Sequence, residues 1–297
     1  MEMTKRERFL AFAGFRAVDR VPRHASYTPH MLEKMTAHLG QSPLQHFDMD
    51  TGGGAGLQPP EDHVSPDYSI YHPGRQHGKD GFTIDGHGCG HVDHGFYHFT
   101  EYISPMAEAT RIEELEDYPI PSREYWSDAG MKQAATDAHA AGVHTQIFVG
   151  HMYENAWQER GYEPFLEDLL LRRDWAEVVL DKFCDNNLIV AEAAAKAGYD
   201  CIATGDDVAN QQALMFRPEL WRQVMKPRWA KVIAAARAHK PDVHVWYHSD
   251  GNIWDILDDL VEIGITILNP VQPECMDPLA IRKRFGKNLA FDGCIGT

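Results

Sequence analysis

The chain has 297 residues with a formal net charge of −16, from 44 acidic against 28 basic side chains. A surface of that sign disfavours nucleic acid and anionic membranes as partners. Hydrophobic residues at 43% and charged residues at 24% are values of an ordered globular protein, and the length suits one large domain spanning 1–297.

Thr4-Lys5-Arg6-Glu7 forms a capping box, which predicts a helix from about 4 to 14 ending near Gly14. The opening MEMTKRERFLAFAGF carries charges on both sides of a short apolar stretch, unlike a signal peptide. RVPRHASYT (20–28) reads as a first strand. Residues 40–122 are rich in Gly, Pro, His and Asp and read as loops and short hairpins, a functional insertion or lid. Beyond 123, strands are predicted at 144–150, 200–207, 243–251, 265–272 and 289–296. Helices are predicted at about 155–172, 174–197, 217–239 and 253–264, with a last one capped by Asp277 and closed by Gly286. Strands alternating with helices imply right-handed βαβ units and a parallel sheet. No GxGxxG or Walker motif follows any strand, so the expected fold is a (β/α)₈ TIM-like barrel with an elaborated, loop-rich N-terminal region. No run approaches the ~18 apolar residues of a membrane span. Five scattered cysteines without a CxxC pair suit a reducing compartment, so a cytoplasmic protein is expected.

Each predicted strand begins apolar and ends polar, and in a barrel those C-terminal ends converge on the active site. The ends supply His151 and Glu154, Asp206 and Asp207, His248 and Asp250, Asn269, Gln272 and Glu274, and Asp292. His248 and Asp250 share a strand face and suit either a zinc site or an acid–base couple. The plain alternative is a strand-end histidine bonded to a neighbouring loop. Of Asp206 and Asp207, one would bind a cation, a metal or a backbone donor, or else cap a helix. Cys275 is the thiol expected at the mouth, whereas Cys184 and Cys201 are expected in the core. Eleven of seventeen histidines precede residue 100. His87, Cys89, His91, His94 and His98 could bind metal by composition, but their spacing fits no standard zinc pattern and favours a solvated or substrate-covering loop. Trp157, Trp221, Trp229, Trp246 and Trp254 read as core.

The segments GDDVANQQALMFRPELWRQVMKPRWAKVI, YHSDGNIWDILDDLVEIGITILNPVQPECMDP and KRFGKNLAFDGCIGT resemble the uroporphyrinogen decarboxylase-like superfamily, which includes corrinoid-linked methyltransferases. TKRERFLAFAGFRAVDRVP and ELEDYPIPS are similar to its N-terminal and middle segments. The resemblance implies a TIM-like barrel, zinc as a cofactor and a corrinoid carried by a partner protein. Three departures stand out. The Arg-rich RQAGRY-type segment of the decarboxylases reads RVPRHASYTP here, which argues against an eight-carboxylate tetrapyrrole. The His-x-Cys pair of the zinc thiol-methyltransferases reads His248-Ser249-Asp250. The family's last strand is expected to be absent, since the chain stops at Thr297.

The leading expectation is a methyltransferase moving a methyl group between a small, O-methyl substrate and a corrinoid protein. His248, Asp250, Asp206, Asp207 and Glu154 are its catalytic candidates, with Asn269, Gln272, His151 and Asp292 binding substrate. His248, Asp250 and Cys275 would hold the metal. The alternatives are a carboxy-lyase acting on a tetrapyrrole or smaller acid, and a non-catalytic corrinoid- or tetrapyrrole-binding protein. A homo-oligomer is compatible with any of these.

Overall fold

The computed structural model describes residues 2–95 and 100–296; His98 lies outside them. Thr4 and Glu7 exchange the expected capping bonds at the start of the helix Lys5–Ala13. The strand expected at 20–28 does not form. Pro22 lacks an N–H to donate, and the N–H of Arg23 goes to the Asp50 carboxylate (2.8 Å), not to a neighbouring backbone. Thr28 then caps a helix, Pro29–Leu39, that the sequence reading did not place.

The insertion carries an antiparallel sheet of β1 (Phe82–Ile84), β2 (Gly90–Asp93) and β3 (Thr100–Ile103). The second sheet is parallel and holds β4 (Gln146–Phe148), β5 (Cys201–Gly205), β6 (His244–His248), β7 (Ile267–Asn269) and β8 (Ala290–Phe291). Its strand order follows the sequence without reversal, which excludes the doubly wound arrangement. Helices Arg173–Ala197, Lys226–His239, Leu257–Ile263 and Pro278–Phe285 make the crossovers.

Two extended segments continue the sheet beyond β4. Gly53 bridges Thr145 in parallel, and the Asp50 N–H donates to Arg23 O at 2.6 Å. Five laddered strands and these two flanking segments are therefore present among the described residues. The fold is α/β with a parallel sheet. Every observed strand is shorter than predicted, because the polar ends leave the ladder to make the bonds described below. The predicted helix 155–172 is divided at Gly161, whose φ of 93° suits glycine. The predicted helix 217–239 is divided at Met225, next to Pro227.

Apolar side chains of the crossover helices cover the outer face of the sheet, with Trp221, Trp229, Phe183 and Leu180 fully buried. At the N-terminal ends of the strands, Phe9 stacks on His144 (centroids 4.1 Å apart) and packs with Ile267 and Ala290. The helix Lys5–Ala13 thus closes that end and leaves the other for chemistry. Among the described residues, no helix is long and apolar enough to cross a membrane.

Candidate functional site

The polar residues that follow β4 to β8 meet at one end of the sheet. Gly205 makes this possible, because a Cβ there would lie 2.2 Å from His248 O. β5 and β6 can therefore run close just where their catalytic candidates emerge.

Asp206 is fully buried. Its carboxylate accepts from the N–H groups of Met152 (2.8 Å) and Glu154 (3.2 Å) and from Trp229 Nε1 (3.2 Å). It therefore caps the helix Tyr153–Arg160 from another strand end. Burial pushes its pKa up to about 7, against the opposing pull of His151 and the two N–H donors.

His151 is held between the Gly205 carbonyl (Nδ1 to O, 2.6 Å) and Glu154 (Nδ1 to Oε2, 2.8 Å), so Nδ1 carries the proton. Burial works against its charged form, but the Glu154 carboxylate, Asp206 and the carbonyl outweigh it and push the pKa up to about 9. Burial likewise opposes the charge on Glu154, yet His151 draws that carboxyl below its ordinary value. The pair is an ion pair at neutral pH.

Asp207 faces the other way. Its Oδ1 accepts from the N–H of Asp250 (2.8 Å) and lies 3.5 Å from His248 Nε2. Burial is the main reason its pKa is raised. His248 Nδ1 lies 2.7 Å from Asn269 Oδ1, and Asn269 Nδ2 donates to Asp292 O at 2.6 Å. Because the amide nitrogen is committed to Asp292, its oxygen faces the ring and Nδ1 is the protonated nitrogen. Nε2 of the neutral ring is left with its lone pair towards the carboxylates.

The ligand atoms of Asp207, His248 and Asp250 lie within 4.8 Å of one another, as do those of His151, Glu154 and Asp206. A tetrahedral ion with bonds of about 2.0–2.2 Å needs donors roughly 3.4 Å apart. The first group reaches that with a small closure, and its nitrogen and oxygen donors suit zinc. The second has its atoms already engaged in the ion pair and the helix cap. Cys275 stands apart from the first group: its Sγ donates to Gln272 Oε1 (3.4 Å), which also accepts from the N–H of Gly251 (2.7 Å). Gln272 thus shapes the loop after β6, and Asp207 supplies the third clustered ligand atom.

A cavity of about 760 Å³ lies along the sheet, and of the strand-end candidates only Asp292 lines it. Phe148, Trp246, Phe291 and Asp292 line it, faced by Arg23 and His24 of the N-terminal segment.

The family model for uroporphyrinogen decarboxylase (URO-D) matches residues 149–293, which contain every strand-end residue named above. That match fits the uroporphyrinogen decarboxylase-like superfamily. Among solved structures, the chain is similar to a methyltransferase from Methanosarcina mazei. The two are 18% identical with a TM-score of 0.63, over 98% of this chain and 82% of that one. At that identity the likeness is one of fold. No curated protein matches the chain.

One residue of the site does more than the sequence indicated. Trp246 packs against the Phe9–Ile267 cluster, and it also lines the cavity, donates Nε1–H to Asp292 Oδ2 (2.8 Å) and stacks on His248 with an 11° interplanar angle. The available signal was the alternation of β6, which places Trp246 and His248 on one face. Arg23 and His24, read as strand residues and as part of the departure from the decarboxylase pattern, also line the cavity.

Proposed function

We propose that this chain is a methyltransferase that takes the methyl group of a small O-methylated substrate and passes it to a corrinoid presented by a partner protein. In this reading the parallel sheet and its two flanking segments are staves of a TIM-like barrel forming a single domain, and the cavity receives the substrate. The observation that carries the reading is the fixed orientation of His248, whose Nδ1 is tied to Asn269 while Nε2 faces Asp207 and Asp250. Loss of a methyl group turns an ether oxygen into an alkoxide or phenoxide, and the enzyme's task is to stabilise that developing charge. Zinc held by Asp207, His248 and Asp250 would supply Lewis acidity at that oxygen. The chain's own part is positional. Asn269 and Asp292 hold the imidazole, Trp246 supports it from below, and Glu154 with His151 fixes the backbone of Asp207 through the Asp207 N–H to Glu154 Oε2 bond (3.2 Å).

The test is demethylation of a panel of methyl ethers with reduced cobalamin as acceptor, for the wild type and His248→Ala, with zinc measured in both. The variant should lose at least about a hundredfold in turnover and its stoichiometric zinc while keeping the wild-type thermal melt. Near wild-type turnover in a folded variant would refute the assignment.

A carboxy-lyase reading is favoured by a different observation. Arg23 is half-exposed on the cavity wall, its guanidinium no nearer than 3.8 Å to Asp48, so it is able to take a substrate carboxylate. Carbon dioxide release from small acids by chelator-treated protein, with no demethylation, would select that reading.

A further inference from the structure

A second group of potential ligands lies outside this site, in the β1–β2 hairpin. Asp85 organises the turn: its Oδ1 accepts from the N–H groups of His87 (2.9 Å) and Cys89 (3.0 Å), and its Oδ2 lies 3.0 Å from His91 Nε2. The fold therefore gathers Asp85, Cys89 and His91 with ligand atoms within 4.8 Å of one another, at a spacing that matches no linear zinc motif.

Glu159 is the independent observation. It lies on the helix Tyr153–Arg160, is 3% exposed, and its Oε2 has no hydrogen-bond partner among the described residues. Cys89 Sγ sits 3.5 Å from the carbonyl of the preceding residue, Gln158, so the thiol packs against this helix. Among the described ion pairs no Lys or Arg reaches Asp85 or Glu159. A carboxylate, a thiol and an imidazole thus share one turn of the hairpin, beside a helix that carries a buried carboxyl.

We propose that Asp85, Cys89 and His91 bind a divalent transition metal, zinc by their donor set, with the remaining position open. Sulfur, nitrogen and oxygen donors in a small, partly closed site suit zinc over magnesium or calcium. On binding, Cys89 gives its thiol proton to solvent and becomes the thiolate ligand, and His91 exchanges its contact with Asp85 for the ion. The site would fasten the His-rich hairpin to the helix that carries Glu154. This inference is independent of the reaction assigned to the strand-end site.

The test is a Co²⁺ titration of the full-length protein, read by thiolate-to-cobalt absorption in the near ultraviolet. Only a site with a cysteine ligand gives that signal. The wild type should develop it to saturation, and His248→Ala and Cys275→Ser should leave it unchanged. Cys89→Ser should abolish it, and His91→Gln should weaken affinity by at least about tenfold. Absence of the signal in the wild type, its persistence in Cys89→Ser, or its loss in Cys275→Ser would overturn the proposal. Should Cys89→Ser fail to fold, His91→Gln decides: unchanged Co²⁺ affinity in that variant sinks the site.

Discussion

Asp206 has no exposed surface and spends its carboxylate on two backbone N–H groups and an indole, whereas Asp207, one residue later, turns to His248 and Asp250. The sequence left the two open, because a cap supplied from another strand leaves no local signature. Only the pairing of β4 with β5 sets Asp206 under the helix that follows β4. His151 was legible as polar and strand-terminal, but its charge depends on Gly205 and Glu154 converging on one ring nitrogen. Its folded pKa, about 9, stands above the unfolded value near 6.5. The ion pair's contribution is therefore complete below that unfolded value and is lost as the pH rises through about 9. Urea unfolding of the wild type should show stability falling across this window. His151→Gln should flatten the decline, and an unchanged slope would remove His151 as its source.

The helix Tyr153–Arg160 has no side-chain cap of its own, since Met152 occupies the N-cap position. Asp206→Ala should lower stability by about 2 kcal/mol and speed hydrogen exchange at the N–H groups of Met152 and Glu154. Asp207→Asn should leave both nearly unchanged and reduce turnover instead. Equal exchange in the two variants would mean that the cap has been misplaced. Element types after residue 123 were readable because apolar runs alternate with helical periodicity and are punctuated by Gly198, Gly264 and Asp277, each found at its predicted cap. Lengths were not readable. The ends of the predicted strands are polar and engage one another across strand ends, so hydrophobicity overstated the ladder.

At the scale of the molecule, the N-terminal segment is anchored by Asp50, which is 4% exposed and receives Arg8, Arg20 and the N–H of Arg23. Asp50→Ala would strand the buried Arg8 guanidinium without one of its partners. The expected loss is about 3–5 kcal/mol, measurable as a lower urea midpoint, and a loss below 1 kcal/mol would show the anchor to be redundant. That anchor could not be read from sequence, because Asp50 lies up to 42 residues from its partners, in a stretch read as loops and hairpins. The parallel sheet in chain order was legible, and that order has a consequence for how the protein is made. Synthesis proceeds from the N-terminus, so β4, β5 and β6 leave the ribosome with Glu154, Asp207 and His248 before Asn269 and Asp292 exist. A nascent chain paused after β6 holds the imidazole but not the amide that fixes its tautomer. The reactive cluster is thus assembled first and aimed last.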